Sequence, residues 1–566
     1  MRLVECVPNF SEGRNMPVID AITAEIADVE GAHLLDVDPG KDTNRTVVTF
    51  VADYDAAVEA AFRAIKKASE LIDMSKHTGA HARMGATDVC PFVPVAGVTM
   101  DDCVVLARQL GERVGEELGI PIYLYEEAAT ADDRHNLASV RSGEYEGLPK
   151  KLKDPHWKPD FGPAEFNPRW GATAIGARKF LIAYNINLNT RSSRIAHDIA
   201  MTIREAGRKK RDANGKFVRD ENGVPTKQPG TLQAAKAVGW YIDEYHRAQI
   251  SINLTDFDVT PPHVAFDECV RQAEESGIRV TGSELVGLIP LEAMLQAGRH
   301  YLERAGVSTG VPESEIIETA IQSLGLCDVA PFDPQQKIIE FRVAEATPLA
   351  DLQVKSFVDL TSTDAPAPGG GSVAALMAAL SSALTSMVAN LTVGKKGYKT
   401  IQEEMKEVAP KAQLLKAAFL KAVDDDTSAF DAVMDAMKLP KKSDEEQKFR
   451  DEAMERATEG AVEVPLGVLL RCREALPLIE AVAEKGNVNS LSDAGVAALA
   501  LRAAAGGAML NVLINLPGLS DRDYINKTSR EGMEALEEVK DRCHAVVMKT
   551  IATLKESLNP PQGGGG

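Results

Sequence analysis

The chain is short of the features that mark secreted, membrane-spanning or nucleic-acid-binding proteins. Its seven cysteines, in 566 residues, are odd in number, scattered, and contain no C-x-x-C pair. That pattern argues against a disulfide framework and a paired-cysteine zinc site, and reads as reduced, buried thiols of a cytoplasmic protein. Residues 1–10 lack the apolar core of a secretory signal. Aromatic residues make up only 5% of the chain, and no basic stripe with interleaved aromatics appears, which argues against nucleic acid as a partner. Positive charge is the minority sign: 63 Lys and Arg face 83 Asp and Glu, a net charge of −20. Such a chain meets an anionic small molecule only through local basic patches. One uncharged stretch, residues 372–393, is long enough to cross a bilayer. Ser381, Ser382, Thr385, Ser386, Asn390 and Thr392 lie inside it and no aromatic belt flanks it, so a helix buried in a bundle or an oligomer interface is expected, with no membrane partner.

What is present suits several domains of ordinary globular composition, 44% hydrophobic and 26% charged. Strand patterns at 3–7, 32–37, 46–52, 90–95 and 121–125 alternate with helical spacing at 16–29, 54–72 and 101–118. Two neighbouring strands there join without a helix, which favours a ferredoxin-like sandwich over a doubly wound sheet. An irregular Pro- and Gly-rich bridge occupies 141–178. A second α/β unit follows, with strands at 179–188, 236–242, 249–254 and 279–288 and helices at 194–205, 262–275 and 291–304. Inside it, 208–228 carries two Asn-Gly pairs and reads as an exposed hairpin insertion without functional weight. From about residue 337 only helices are expected, punctuated by Pro465 and Pro477, with Pro440 just past a helix end. The expected organisation is α+β, with a ferredoxin-like subdomain at 1–178, a second α/β subdomain at 179–326, a linker at 327–336, and an all-α helical bundle over 337–566.

Five clusters can carry chemistry. His77 and His81 sit four apart with Thr78-Gly79 between them. The pair suits a metal site, a loop with satisfied imidazoles, or general acid/base work near neutral pH. Asp36, Asp38 and Asp42 gather near Arg45, as a solvated turn or as a charge-binding strand end. Residues Gly162-Pro163-Ala164-Glu165-Phe166-Asn167-Pro168-Arg169-Trp170-Gly171 form either an ordinary linker or a cleft lining in which Phe166 and Trp170 stack on a flat heterocycle. Pro366–Ser372 opens the uncharged helix, as a flexible entry or an anion-binding helix start. Asp424, Asp425 and Asp426 point 100° apart on a helix, so at most one or two can face a core.

These segments together resemble one family. His77-Thr78-Gly79-Ala80-His81-Ala82-Arg83-Met84-Gly85, Asp88-Val89-Cys90-Pro91-Phe92, Val7-Pro8-Asn9-Phe10-Ser11-Glu12-Gly13-Arg14 and Thr43-Asn44-Arg45-Thr46-Val47 are similar to the signature of glutamate formimidoyltransferases. Residues 162–171 resemble that family's folate-binding loop. Pro366–Ser372, Asp426-Thr427-Ser428-Ala429-Phe430 and Asn487-Val488-Asn489-Ser490-Leu491-Ser492-Asp493-Ala494-Gly495 resemble formimidoyltetrahydrofolate cyclodeaminases, and the order of the halves is that of the bifunctional formimidoyltransferase-cyclodeaminase family. The chain departs from the family at Ala82, where the family has Pro, and at the hairpin insertion, which the resemblance does not cover and which displaces the region of Gln228-Pro229-Gly230.

The resemblance implies two α/β subdomains of related ferredoxin-like architecture, with tetrahydrofolate, polyglutamated, as co-substrate in the groove between them, N-formimino-L-glutamate as formimino donor, and no metal. It implies His81 as the catalytic imidazole and Asp426 as the cyclodeaminase acid, matched through the Asp-x-x-Ala-Phe pattern. Asp38 is expected to hold the amidinium charge, and Arg45 and Arg83 to meet carboxylates. A homo-oligomer built from dimers is expected.

Overall fold

The computed structural model describes residues 2–41, 44–79, 83–212, 216–221, 223–343, 349–365 and 367–558. The chain forms two compact units: Met1–Ala297 with Ile321–Ala344, and Gly298–Ala320 with Glu345–Gly566.

The first unit holds two sheets. One is built from β1 (Leu3–Cys6), β2 (Asn9–Phe10), β3 (Ala32–Gly40), β4 (Arg45–Asp53), β5 (Thr87–Ala96), β6 (Ile122–Glu126) and β7 (Thr173–Ala177). Its helices are α1 (Met16–Ala27), α2 (Ala57–Leu71) and α3 (Met100–Glu117), and the short α4 (Leu137–Val140) and α5 (Glu144–Lys151) follow β6. The order β3-β4-β1-β5 is antiparallel throughout and is the ferredoxin-like arrangement expected from the joined strand pair. β2 continues β1 between β4 and β5. Beyond β5 the sheet turns parallel, with β7 inserted between β5 and β6. The bridge read as irregular thus contains α5 and β7. β7, Thr-Ala-Ile-Gly-Ala, is too short and small to show a period, and its side chains are all buried.

Strand alternation separates two faces. Val4, Cys6, Val48, Phe50, Cys90 and Phe92 pack into the core with Ile22, Ile26, Ile65, Leu106 and Leu110 of the helices. Glu5, Val7, Val47 and Thr49 alternate with them and line a cleft.

The second sheet has β8 (Ile182–Leu188), β11 (Ala235–Ile242), β12 (Arg247–Leu254) and β13 (Val280–Val286) in the antiparallel order β11-β12-β8-β13, again ferredoxin-like. α6 (Ser193–Ile203) and α7 (Pro262–Glu275) accompany it, and β9 (Arg208–Lys209) pairs with β10 (Lys227–Gln228) at the base of the insertion. α8 (Leu291–Arg304), α9 (Glu313–Leu324), α10 (Pro334–Lys337) and α11 (Ile339–Val343) complete this stretch.

The second unit is helical: α12 (Val354–Thr361), α13 (Gly370–Asn390), α14 (Gln402–Lys438), α15 (Asp444–Lys485), α16 (Leu491–Asn515) and α17 (Arg522–Leu558). α13 packs on α14 and α16 through small residues. Ala374, Ala375, Ala378 and Ala379 meet a core that includes Ala498, Leu501, Ala505 and Ala508, and the Ser381 hydroxyl donates to the Ala497 carbonyl at 2.8 Å. Pro440 follows the end of α14 as read. Pro465 and Pro477, by contrast, do not break their helix: α15 runs through both. Its buried side chains on either side, Val462, Val468, Leu469 and Ile479, hold the helix by packing despite the lost amide donors. α13 and the run Val488–Gly518 are each long and apolar enough to cross a membrane; most of the apolar window of α13 is buried within the protein.

Candidate active sites

In the first unit, the segments singled out by sequence come together at one end of the first sheet. The Ser11 amide donates to the Ala86 carbonyl at 2.8 Å and its hydroxyl to the Gly85 carbonyl at 2.7 Å. Asn44, with a left-handed φ of 50°, accepts from the Gly13 amide at 3.0 Å and donates to the Thr78 carbonyl at 3.0 Å. His77 Nε2 lies 2.8 Å from the Asn44 carbonyl, and Arg83 Nε donates to His77 Nδ1 at 3.3 Å. Burial is the main force holding the His77 imidazole below its usual range. His77 is therefore spent on the loop's own structure. His81, with Ala80 and Ala82, lies outside the described residues, as do Asp42 and Thr43.

A buried carboxylate anchors this loop. Asp88 has no exposed surface; it accepts the Met84 amide at 2.9 Å and is ion-paired with both Arg45 and Arg141. Arg45, itself buried, also donates to Asn9 Oδ1 at 3.1 Å. Arg83 pairs with Glu144 and Glu146 of α5. Sequence reading missed Asp88 as an anchor; its signal was a charged residue at the head of an apolar strand. Asp38 sits opposite Val47 on the exposed edge of β3 and has no hydrogen bond or ion pair among the described residues.

Residues 162–171 cross beside this loop. The Met74 amide donates to the Arg169 carbonyl at 2.8 Å, and Arg169 reaches the Glu70 carbonyl. Gly85 and Gly171 form a bridge so close that a Cβ on Gly85 would lie 2.3 Å from the Ala172 oxygen. Gly162, Pro163, Ala164 and Glu165 are exposed. Phe166 packs against Tyr145, ring centroids 5.5 Å apart. Trp170 packs against the sheet's core, with no partner for its buried Nε1 donor among the described residues.

A cleft of about 630 Å³ extends along the open face of the first sheet. Glu5, Val7, Asp36, Val47 and Thr49 line one side; Phe180, Leu181 and Val286 line the other, with Arg178, Lys337 and Arg342 among them. These three cations donate to backbone carbonyls and are paired with no carboxylate among the described residues. Burial pushes the Glu5 carboxyl up to about 7, opposed by the nearby Arg178 charge. Neither Glu5 nor these cations stood out in the sequence, where each is a single charged residue in an ordinary strand or turn.

In the helical unit, the three adjacent acids have three different environments. Asp424 accepts the Leu349 and Ala350 amides at 2.9 and 3.3 Å. Asp425 is ion-paired with Lys421, one turn away. Asp426 turns inward to the start of α13, where its Oδ2 accepts the Ser372 hydroxyl at 2.9 Å. Burial raises its carboxyl above the usual aspartate range, against the lowering effect of the Ser372 hydrogen bonds. Asn511 of α16 stands beside Gly370; an amide in an Ala-rich helix was the sequence signal for it. The Asn487-Val488-Asn489 motif lies elsewhere: Asn487 accepts from Lys395 at 2.6 Å and its amide donates to Thr392, at the opposite end of α13.

Three family descriptions match successive parts of the chain: the N-terminal subdomain of the formiminotransferase domain over residues 3–178, the formiminotransferase domain over 183–344, and formiminotransferase-cyclodeaminase over 353–534. The formimidoyltransferase-cyclodeaminase of Mus musculus is 45% identical over 558 residues, which cover 98% of this chain and all of that protein. The chain belongs to the formimidoyltransferase-cyclodeaminase family. Its halves also have separate relatives. A glutamate formimidoyltransferase of Streptococcus pyogenes serotype M1 is 42% identical over 53% of this chain and 94% of its own length. A methenyltetrahydrofolate cyclohydrolase of Methylorubrum extorquens is 41% identical over 36% of this chain and 97% of its own length.

Proposed function

We propose that the chain transfers the formimino group of N-formimino-L-glutamate to N5 of tetrahydrofolate, then closes it into the 5,10-methenyl bridge with loss of ammonia. The observation that carries the reading is the convergence of the described part of the 77–88 loop with Ser11, Asn44 and residues 162–171, in the unit that also holds the cleft lined by Glu5, Asp36 and Arg178. The cleft suits folate and glutamate carboxylates, because Arg178, Lys337 and Arg342 line it and are ion-paired with no carboxylate among the described residues.

In the first step the N5 lone pair forms a bond to the amidine carbon, and the bond from that carbon to the glutamate nitrogen breaks. His81 takes the N5 proton and returns it to the leaving nitrogen. Asp38 stabilises the amidinium charge. Arg45, fixed on Asp88, positions the loop rather than touching substrate. In the second step N10 attacks the same carbon and the carbon–amino bond breaks. Asp426, protonated at higher pH than an ordinary aspartate, protonates the departing ammonia and accepts the N10 proton. Neither step calls for a metal. We place the reaction in the cytoplasm, in histidine degradation, and assign the protein to homo-oligomers built from dimers; the exposed Leu380, Leu510 and Ile514 on α13 and α16 support an interface between copies.

A coupled assay following glutamate, ammonia and methenyltetrahydrofolate absorbance tests both steps. His81→Ala should abolish glutamate release, and Asp426→Asn should leave glutamate release intact while ammonia release falls by roughly two orders of magnitude or more. Full turnover by His81→Ala would remove the base assigned here. Methenyl product formed by the wild type without ammonia would favour a cyclohydrolase-type second half, the reading suggested by the Methylorubrum extorquens relative.

A further inference from the structure

We propose that Glu5 recognises the pterin ring of the folate substrate, its carboxylate accepting the two N–H donors of the 2-amino-4-oxo edge. The inference rests on the folate reading of the cleft. Glu5 lies in β1 opposite Val51 of β4 and Val93 of β5, both fully buried. Directly opposed residues share one face of a sheet, so the carboxyl stands between two valines on the side that lines the cleft. Glu5 is itself buried, yet it has no hydrogen bond and no ion pair among the described residues. Asp88, a buried carboxylate of the same sheet, is the contrast: it accepts a backbone amide and is held by two arginines. A buried polar group without such partners costs stability. No contact within the protein accounts for Glu5, and it faces a cleft of about 630 Å³.

An ionised Glu5 offers a ligand a planar pair of acceptor oxygens. Their match is a fork of two N–H donors on one carbon, which makes two parallel hydrogen bonds to a carboxylate. Both substrates of the proposed reaction carry such a fork: the pterin through its 2-amino group and N3–H, the formimino donor through its amidinium. The charged groups around Glu5 separate the two. Arg178 follows β7, its amide bonded to the Phe92 carbonyl, and its charge acts on Glu5. Lys337 and Arg342 line the same cleft, and His33 and Asp36 of β3 are exposed. An amidinium at Glu5 would meet the Arg178 guanidinium as a like charge; the neutral pterin edge would not. The position along the sheet also suits a ring. Glu5 precedes Asn9 by four residues, roughly 13 Å at the rise of a strand, and Asn9 pairs with Val89, next to Asp88. A bicyclic ring held at its 2-amino edge by Glu5 would carry N5 on its far side, towards the 77–88 loop.

Calorimetric binding of tetrahydrofolate and of N-formimino-L-glutamate, each alone, to the full-length wild type and to Glu5→Gln at about pH 6 and pH 8 tests the assignment. Glutamine keeps the shape of the side chain and removes the buried charge, so the fold is retained. The wild type should bind tetrahydrofolate about tenfold more tightly at pH 8 than at pH 6, because a carboxyl pushed up to about 7 is mostly ionised only at the higher pH. Binding at pH 6 should release about one proton per site, read from the dependence of the heat on the buffer. The variant should bind tetrahydrofolate about tenfold or more weakly than the wild type at pH 8, with no such pH trend and no proton release. Its affinity for N-formimino-L-glutamate should match the wild type. Equal tetrahydrofolate affinity in the two proteins, or a pH trend and proton release that survive in the variant, overturns the role of Glu5. Weakening confined to N-formimino-L-glutamate overturns the pterin assignment and moves the fork to the amidinium. Failure of the wild type to bind tetrahydrofolate overturns the folate reading itself.

Discussion

Glu5 shows how much a side chain's setting can change its chemistry. It sits in β1 between core-facing Val4 and Cys6, so alternation turns it to the cleft, yet only 5% of its surface is exposed. Its folded carboxyl titrates near 7, above its ordinary 4.5. Folding therefore favours the protonated form: the stability present below pH 4.5 is lost as pH rises through 7. Glu5→Gln should remove that loss, becoming more stable than the wild type by at most about 3 kcal/mol at pH 8 and showing little difference at pH 5. Thermal melts across that range check this; parallel curves for the two proteins would rule it out. The same contrast runs through Asp424, Asp425 and Asp426. Helical geometry in the sequence allowed only one or two of them to face inward, and the Asp-x-x-Ala-Phe pattern picked the third. What the sequence could not show is that the amides of Leu349 and Ala350 occupy the first and Lys421 the second, because those partners come from packing.

At the scale of elements, the start of α13 and the middle of α14 are made for each other. A Cβ on Gly371 would stand 2.0 Å from Asp426 Oδ1, so only glycine lets that carboxylate lie against the helix start. Gly371→Ala should push Asp426 off Ser372, lowering ammonia release by roughly 10²-fold with glutamate release unchanged, and destabilising the helical unit by about 1–3 kcal/mol. Unchanged cyclisation in this variant would show that the contact is not needed for the chemistry. The glycine run was visible in the sequence, but as a loose helix entry; its packing partner, 55 residues on, was not. Long amphipathic helices and alternating strands were legible because their periods repeat, and α8 begins and ends where its spacing indicated. β7 was not, since five small buried residues carry no period, and α15 ran past its prolines because buried neighbours outweigh two missing amide donors.

For the whole molecule, the unsettled surface is the apolar side of the helical unit. Leu380 is 54% exposed on α13, and Leu510 and Ile514 are 68% and 76% exposed on α16. Apolar side chains this exposed, on a chain of net charge −20, favour a cover. A second copy supplies the same apolar side chains in a two-fold arrangement, the commonest way such a face is closed. The pair Leu510→Glu and Ile514→Glu places two charges per chain where each copy would meet the other, so like charges oppose across the axis and must be desolvated together. Sedimentation velocity should show the wild type larger than one chain and the double variant shifted to smaller species, with glutamate release retained because the transferase cleft lies in the other unit. If the double variant kept the wild-type mass, this face would not be an interface, and the apolar side chains would call for a different partner.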